Sequence, residues 1–231
     1  MAQIRVRART VDMLGRQQIA GIPTALHELF KNAHDAYAEH VEVDHFRADQ
    51  LLVIRDDGYG MTRADFETRW LTLGTESKIG TDHPDAEVRF EDRPQMPQRP
   101  IMGEKGIGRL AIAAIGPQML IMTRATRVNG LSPLVASFIH WGLFEVPGVD
   151  LHQVHIAVEE LPQGSMPNAS LLRKLVDQVR TNISDLGDHI PAVFREQLLA
   201  DLDLASFNPS EIDERLTGPS LRERGFGTHF Y

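Results

Sequence analysis

Apolar and polar positions change their rhythm several times along this chain, and each change marks an element. Residues 3–9 alternate, with Ile4, Val6 and Ala8 set between Gln3, Arg5, Arg7 and Arg9. That period of two predicts an exposed strand. From Thr24 to about Ala38 the period lengthens. Leu26, Leu29, Phe30, Ala33 and Tyr37 form one helical stripe, with Pro23 just ahead of it and Thr24 placed to cap it. Residues 41–46 and 51–55 are strand-like runs at hairpin spacing, and Asp57-Gly58 closes the second with turn chemistry. A short helix is predicted over 62–71, with Thr62 as cap and Asp65 in its first turn.

The rhythm then disappears. Residues 74–100 hold many Gly, Pro, Asp and Arg and almost no periodicity, so they read as a long loop. Loops of that length inside a domain are usually functional lids or disordered segments. Gly103 to Gly108 is glycine-rich, and the small apolar run 109–115 behind it suits a buried helix that Gly116-Pro117 stops. Strands are predicted over 119–124, 134–141, 154–158 and 225–231. Most of 169–202 reads as helix, broken near Gly187 and Pro191. The sequence contains no internal repeat.

Composition narrows the classes. A chain of 231 residues fits one large domain, or a domain with an extra subdomain. It has no cysteine, which excludes disulfides, thiolate zinc sites and a thiol nucleophile. Lys and Arg number 24 against 32 Asp and Glu, a net charge of −8, which argues against non-specific nucleic-acid binding. Arg5, Arg7, Arg9 and Arg16 are a local exception and read as a solvated edge. No run reaches the length of a membrane-spanning helix, and no apolar run follows the basic N-terminus. A cytoplasmic location without membrane contact is the expectation. A His-Glu-x-x-His zinc motif fails because Lys31 stands where the second His is needed. Asn168-Ala169-Ser170 matches a glycosylation acceptor, which means nothing without a secretory signal.

Four short stretches carry chemistry. On the first long helix Glu28, Asn32 and Asp35 share one polar face. A carboxylate and an amide one turn apart can hold a water and a hard cation such as magnesium, and the carboxylate can act as general base. An ordinary solvated helix face has the same pattern. The second stretch is Asp56-Asp57-Gly58-Tyr59-Gly60-Met61-Thr62, after a strand. Its glycines permit close backbone approach to a flat ligand, and an Asp at a strand end can accept from an exocyclic amine such as adenine's. A simple Asp-Gly turn is the alternative. The third is Gly103-Glu104-Lys105-Gly106-Ile107-Gly108 before a helix, where backbone N–H groups can meet an anion. A flexible hinge is its alternative. It is neither a Walker loop nor a dinucleotide fingerprint: Arg109-Leu110 follow Gly108, and the order is Gly-x-x-Gly-x-Gly. The fourth, Gly225-Phe226-Gly227-Thr228, says little alone.

In this order the four resemble the motifs of the GHKL superfamily of ATPases: DNA gyrase B subunits, the ninety-kilodalton heat-shock chaperone, histidine kinases and MutL. Glu28, Asn32, Asp35 and Ala36 match Glu-x-x-x-Asn-x-x-Asp-Ala. Asp56, Gly58 and Gly60 match Asp-x-Gly-x-Gly. Gly103, Gly106 and Gly108 match Gly-x-x-Gly-x-Gly, and Gly227-Thr228 match the late Gly-Thr. The resemblance implies an α/β fold, a two-layer sandwich of a mixed β-sheet covered on one face by helices, known as the Bergerat ATP-binding fold. It implies an N-terminal strap over 1–20 and an ATP-binding domain over 21–231. Within that domain it implies an ATP lid at about 74–108 and a helical insert at about 168–204.

The resemblance also implies roles. Glu28 would polarise the attacking water, and Asn32 would bind the Mg2+ that bridges the phosphates, with Asp35 on the same face. Asp56 would bind the adenine amine, with Gly58, Gly60, Met61 and Thr228 around it. Gly103, Gly106, Ile107 and Gly108 would serve the phosphates. Lys105, as a catalytic group, and Lys78 of the Ser77-Lys78 pair in the lid would face the γ-phosphate. Glu28 with Asp35-Ala36 points to the hydrolysing branches, of the MutL, MORC or heat-shock type. In those branches a further C-terminal domain follows, supplying a lysine and any contact with nucleic acid. This chain stops three residues after Thr228, so that domain is expected to be missing. ATP and ADP are the expected ligands, and an ATP-dependent homodimer the expected assembly. A catalytically weak, nucleotide-gated dimerisation switch and a histidine-kinase-type phosphotransfer module are the alternatives.

Overall fold

The last strand of the chain lies in the middle of its sheet, and that placement builds the site. The computed structural model describes residues 4–73, 99–103, 108–162 and 164–231. No strand forms over the described residues of 3–9; helix α1 (Arg9–Leu14) begins at the last residue of that stretch. Ile4 and Val6 stay exposed, whereas Ala8 and Val11, three apart, are both buried. That spacing is helical, and the alternation ahead of it hides the fact. Within the expected strand Arg7 forms an isolated bridge to Asp150, flanked by Ala8 N–H donating to Val149 O at 3.0 Å and Val6 O accepting from Leu151 N–H at 2.9 Å.

Helix α2 (Ile22–Asp35) begins ahead of the expected Thr24. Gly21, at φ 86°, occupies the cap position, and Pro23 sits in the first turn, where its missing N–H costs nothing. Thr24 does not cap; its hydroxyl donates back to Ala20 O at 3.3 Å. Ala25, Leu29 and Ala33, four apart, form the buried stripe. Strands β1 (Val41–Phe46) and β2 (Leu51–Asp56) make the expected hairpin, with Val41 opposite Asp56. Thr62 caps α3 (Arg63–Asp65) through a reciprocal capping box with Asp65, and a wider turn continues through Phe66–Trp70.

After the glycine motif, a tight helical segment (Gly108–Ala114) buries Leu110, Ala111, Ile112 and Ala113 and packs on α2. Next come β3 (Gln118–Arg124), the small hairpin of β4 (Thr126–Arg127) and β5 (Gly130–Leu131), and β6 (Leu134–His140). Strand β7 (Val158–Leu161) begins where the expected strand over 154–158 ends, because Leu151–Gln153 forms a tight turn first. The helical region divides near Gly187 and Pro191 as expected, into α4 (Ala169–Leu186) and α5 (Ala192–Leu204). Asn168 caps α4, accepting from Ser170 and Leu171 N–H, so the Asn-Ala-Ser sequence is spent on a helix end. The short α6 (Pro209–Arg215) was not anticipated, and β8 (Gly227–Phe230) ends the fold.

The strand order is β1-β2-β8-β3-β6-β7, each neighbouring pair antiparallel. With α2 and α4 to α6 around it, this six-stranded sheet makes the α/β sandwich. Strands β3 and β6 are buried at consecutive positions, which requires cover on both faces and explains their continuous apolar runs. Leu120, Ile121 and Met122 are each 1% exposed or less. Each such side chain contributes about 1.5–3 kcal/mol by leaving water.

Candidate functional site

Register across β2, β8 and β3 brings three polar side chains into one row. Asp56 pairs with Thr228, and Thr228 pairs with Thr123. They therefore share a face of the sheet, although Asp56 and Thr228 lie 172 residues apart in sequence. Asp56 is 7% exposed. Its Oδ1 accepts the N–H groups of Gly58 at 2.9 Å and Thr228 at 3.2 Å. No described group donates to Oδ2. Burial pushes the Asp56 carboxyl up to about 7, against the pull of those two N–H bonds.

Thr123, 1% exposed, ties the row together. Its hydroxyl donates to Gly227 O at 2.9 Å, accepts from Met61 N–H at 2.9 Å, and lies 3.0 Å from Thr228 Oγ1. Sequence reasoning missed this residue. The one available signal was a lone hydroxyl inside the apolar run 119–123.

The motif glycines serve the chain's own backbone before any ligand. A Cβ on Gly60, at φ 60°, would stand 2.0 Å from Arg124 O. One on Gly227, at φ 130°, would stand 1.9 Å from Asp56 O. No side chain fits such gaps, so the loop after β2 and the start of β8 can be threaded together only with glycine there. Gly58 lies against Ala36 in the same manner, and Tyr59 N–H donates to Ala36 O at 2.8 Å. The small residue after Asp35 thus lets the second motif seat on the end of α2.

Two carboxylates beside this loop brace it. Asp57 Oδ1 accepts from the N–H groups of Glu39 and His40, both at 2.8 Å, and Oδ2 lies 2.9 Å from His40 Nδ1. Arg127 donates to Tyr59 O at 3.0 Å and to Asp65 Oδ2 at 2.8 Å. Burial pushes the Asp65 carboxyl up, but bonds from Thr62 and the charges of Arg127 and Arg69 outweigh it and hold it below the usual range.

On α2 the three expected residues do different things. Asp35, its side chain 5% exposed, accepts Met102 N–H at 2.8 Å and Gly103 N–H at 2.9 Å, one on each oxygen. It holds the first glycine of the third motif rather than pointing beyond it. Glu28 is partly buried, accepts from Lys31 Nζ at 2.7 Å on Oε1, and turns Oε2 toward Gly108. Asn32 is partly buried between them in sequence. Its amide oxygen is a donor suited to magnesium, which takes oxygen ligands and keeps waters and phosphate oxygens as its other partners. Among the described residues no three His, Asp or Glu side chains gather around a metal position. Lys105, Gly106, Ile107, Ser77, Lys78 and most of the expected lid lie outside the described residues. Gly58, Gly60 and Met61 stand beside Asp56, and Gly103 and Gly108 beside α2, so the structure brings the expected motifs to one end of the sheet.

A family model described as "Histidine kinase-, DNA gyrase B-, and HSP90-like ATPase" matches residues 21–160. A comparison with curated proteins gives no match. Among the described residues no helix is long and apolar enough to cross a membrane.

Proposed function

The chain belongs to the family of histidine kinase-, DNA gyrase B- and HSP90-like ATPases, and from that premise we propose that it binds Mg-ATP between α2 and the loop after β2 and hydrolyses it. The observation that carries this reading is Asp56. A nearly fully buried carboxylate with one oxygen doubly bonded and the other without a donor is an incomplete arrangement. The exocyclic amine of adenine supplies the missing donor. Thr228, Thr123 and the backbone of Met61 form the polar wall around it.

The remaining roles follow from position. Asp35 holds Met102 and Gly103 so that the glycine motif starts beside α2, and the phosphates then meet the N–H groups of Gly106, Ile107 and Gly108. Lys105, with Lys78 and Ser77 from the 74–108 lid, faces the γ-phosphate. Asn32 would hold magnesium, which when bound neutralises phosphate charge and draws electron density from the γ-phosphoryl group. Glu28 takes a proton from the attacking water as general base. Lid closure and ATP-dependent dimerisation through residues 1–20 complete the proposal. The exposed apolar side chains of Ile4, Val6, Met13 and Ile22 support that assembly. In a longer protein a following domain would add partners, nucleic acid among them.

The test separates binding from chemistry. Glu28→Ala should hold ATP as the wild type does and lose hydrolysis; equal turnover removes Glu28 as the base. Sedimentation with a non-hydrolysable ATP analogue should show a dimer, and unchanged sedimentation removes the dimer from the account.

A further inference from the structure

Lys31 follows Glu28 by three residues on α2 and so returns to its face. Its ammonium donates to Glu28 Oε1 at 2.7 Å. The two side chains are 25% and 24% exposed, too enclosed for a freely solvated pair on a helix surface. Glu28 Oε2 points elsewhere. A Cβ placed on Gly108 would stand 2.7 Å from it, so Oε2 lies against the end of the glycine motif. No described group donates to Oε2. The carboxylate is therefore divided: one oxygen is anchored by Lys31, and the other is turned toward the place where phosphates would lie.

We propose that Lys31 is a positioning residue for ATP hydrolysis, fixing Glu28 Oε1 so that Oε2 stays aimed at the attacking water. The inference rests on the reading of Glu28 as general base. A glutamate has three side-chain torsions, and a base that samples them all spends little time within reach of the proton it must accept. The anchor restricts those torsions from within the same helix, so it needs no lid or partner to form. The preceding turn supplies no such anchor, since Ala25 has no polar group and the Thr24 hydroxyl donates to Ala20 O.

The experiment uses the full chain with Mg-ATP in single-turnover hydrolysis, protein in excess, and calorimetric titration with Mg-ADP. Lys31→Met keeps the aliphatic stem and removes the charge, whereas Lys31→Arg keeps a donor. Lys31→Met should lower the hydrolysis rate by roughly tenfold or more while ADP affinity stays within about twofold of wild type. Lys31→Arg should recover most of that rate. Added to Glu28→Gln, Lys31→Met should cause no further loss, because the group it positions is gone. Wild-type turnover by Lys31→Met overturns the inference, as does a loss that Lys31→Arg fails to rescue or that persists in the Glu28→Gln background. If Glu28→Gln itself turns over like wild type, the base reading falls and takes this inference with it. If Glu28→Gln is inactive and Lys31→Met is normal, Lys31 alone is wrong.

Discussion

On one face of the sheet Asp56, Thr123 and Thr228 stand in a row; on the opposite face stand Arg55 and His229, paired one position to one side of that row, and Arg124, one position to the other. All six side chains are buried. On the far face the terminal nitrogens of both guanidinium groups donate to the chain itself, while their Nε atoms have no partner among the described residues. Arg55 donates to Pro219 O at 2.5 Å, Thr217 O at 2.8 Å and Asp44 at 3.0 Å. Arg124, with no carboxylate partner among the described residues, donates to Leu221 O at 2.6 Å and to Gly225 O and Ser165 O at 3.3 Å. Burial, with the nearby charge of Arg55, pushes His229 down to about 3, so it is neutral at pH 7. These arginines bind segment 217–225 to the sheet, and that segment leads directly into β8. On the near face a carboxylate is left with an unused oxygen. The contrast separates two uses of buried polarity: guanidinium groups whose terminal nitrogens donate to the chain's own oxygens hold structure, and an acceptor turned outward receives a ligand.

The comparison can be broken most severely from the far face. Arg124→Met should cost on the order of 3 kcal/mol of stability, because the carbonyls it serves lose their donors while staying buried. The folded protein should still bind ADP within a few-fold of wild type. Chemical denaturation followed by titration below the transition checks both, and a loss of affinity without loss of stability would mean that the two faces are not separate in function.

On the near face, Thr123→Val removes one hydroxyl with little change of shape. It leaves Met61 N–H and Gly227 O without their partner, at a cost of about 1–2 kcal/mol. ADP affinity should fall by roughly tenfold, since the wall of the adenine position is no longer pinned. Denaturation and calorimetry report the two effects. An unchanged affinity would place Thr123 with the structural residues of the far face.

Thr123 also shows where sequence reading stops. The motifs on α2, after β2 and before Gly108–Ala114 were legible because each is local, with glycines and polar residues at fixed offsets inside one turn or one helix face. The row Asp56–Thr228–Thr123 was only half legible. Thr228 could be placed through its motif, but the register that seats β8 between β2 and β3 joins distant segments. Arg55 and Arg124 read as charges ending strands, since nothing local says that 217–225 will cover them. Asp35 read as part of a ligand face, and its bonds to Met102 and Gly103 cross 67 and 68 residues. The strand expected over 3–9 was wrong for the converse reason: its alternation is real, but Ile4 and Val6 find no sheet to join. Helix α6 was missed because Pro209–Arg215 is too short to show a period.

A smaller effect sharpens the same contrast through pH. The Asp56 carboxyl, raised to about 7, is largely protonated in the free protein at pH 6. A protonated oxygen facing the adenine amine offers a poorer acceptor, so ADP affinity should rise by up to about tenfold per pH unit toward neutrality and level off above it. Binding near pH 6.5 should therefore release protons, measurable by calorimetry in buffers of different ionisation enthalpy. For stability the sign is opposite. An acid whose folded value lies above its ordinary 3.8 favours the folded state most below that value, and the contribution is lost as pH rises through about 7. The far face should add no such slope to binding, because His229 stays neutral throughout this range.

The most direct test of the central claim is calorimetric titration of Mg-ADP into wild type and Asp56→Asn. In the variant the single amide oxygen must still accept from Gly58 and Thr228, which turns the amide NH2 toward the adenine amine and sets donor against donor. The account predicts measurable binding by wild type and a loss of at least roughly a hundredfold in the folded variant, about 2.7 kcal/mol. Equal affinity of the two proteins for Mg-ADP would contradict it.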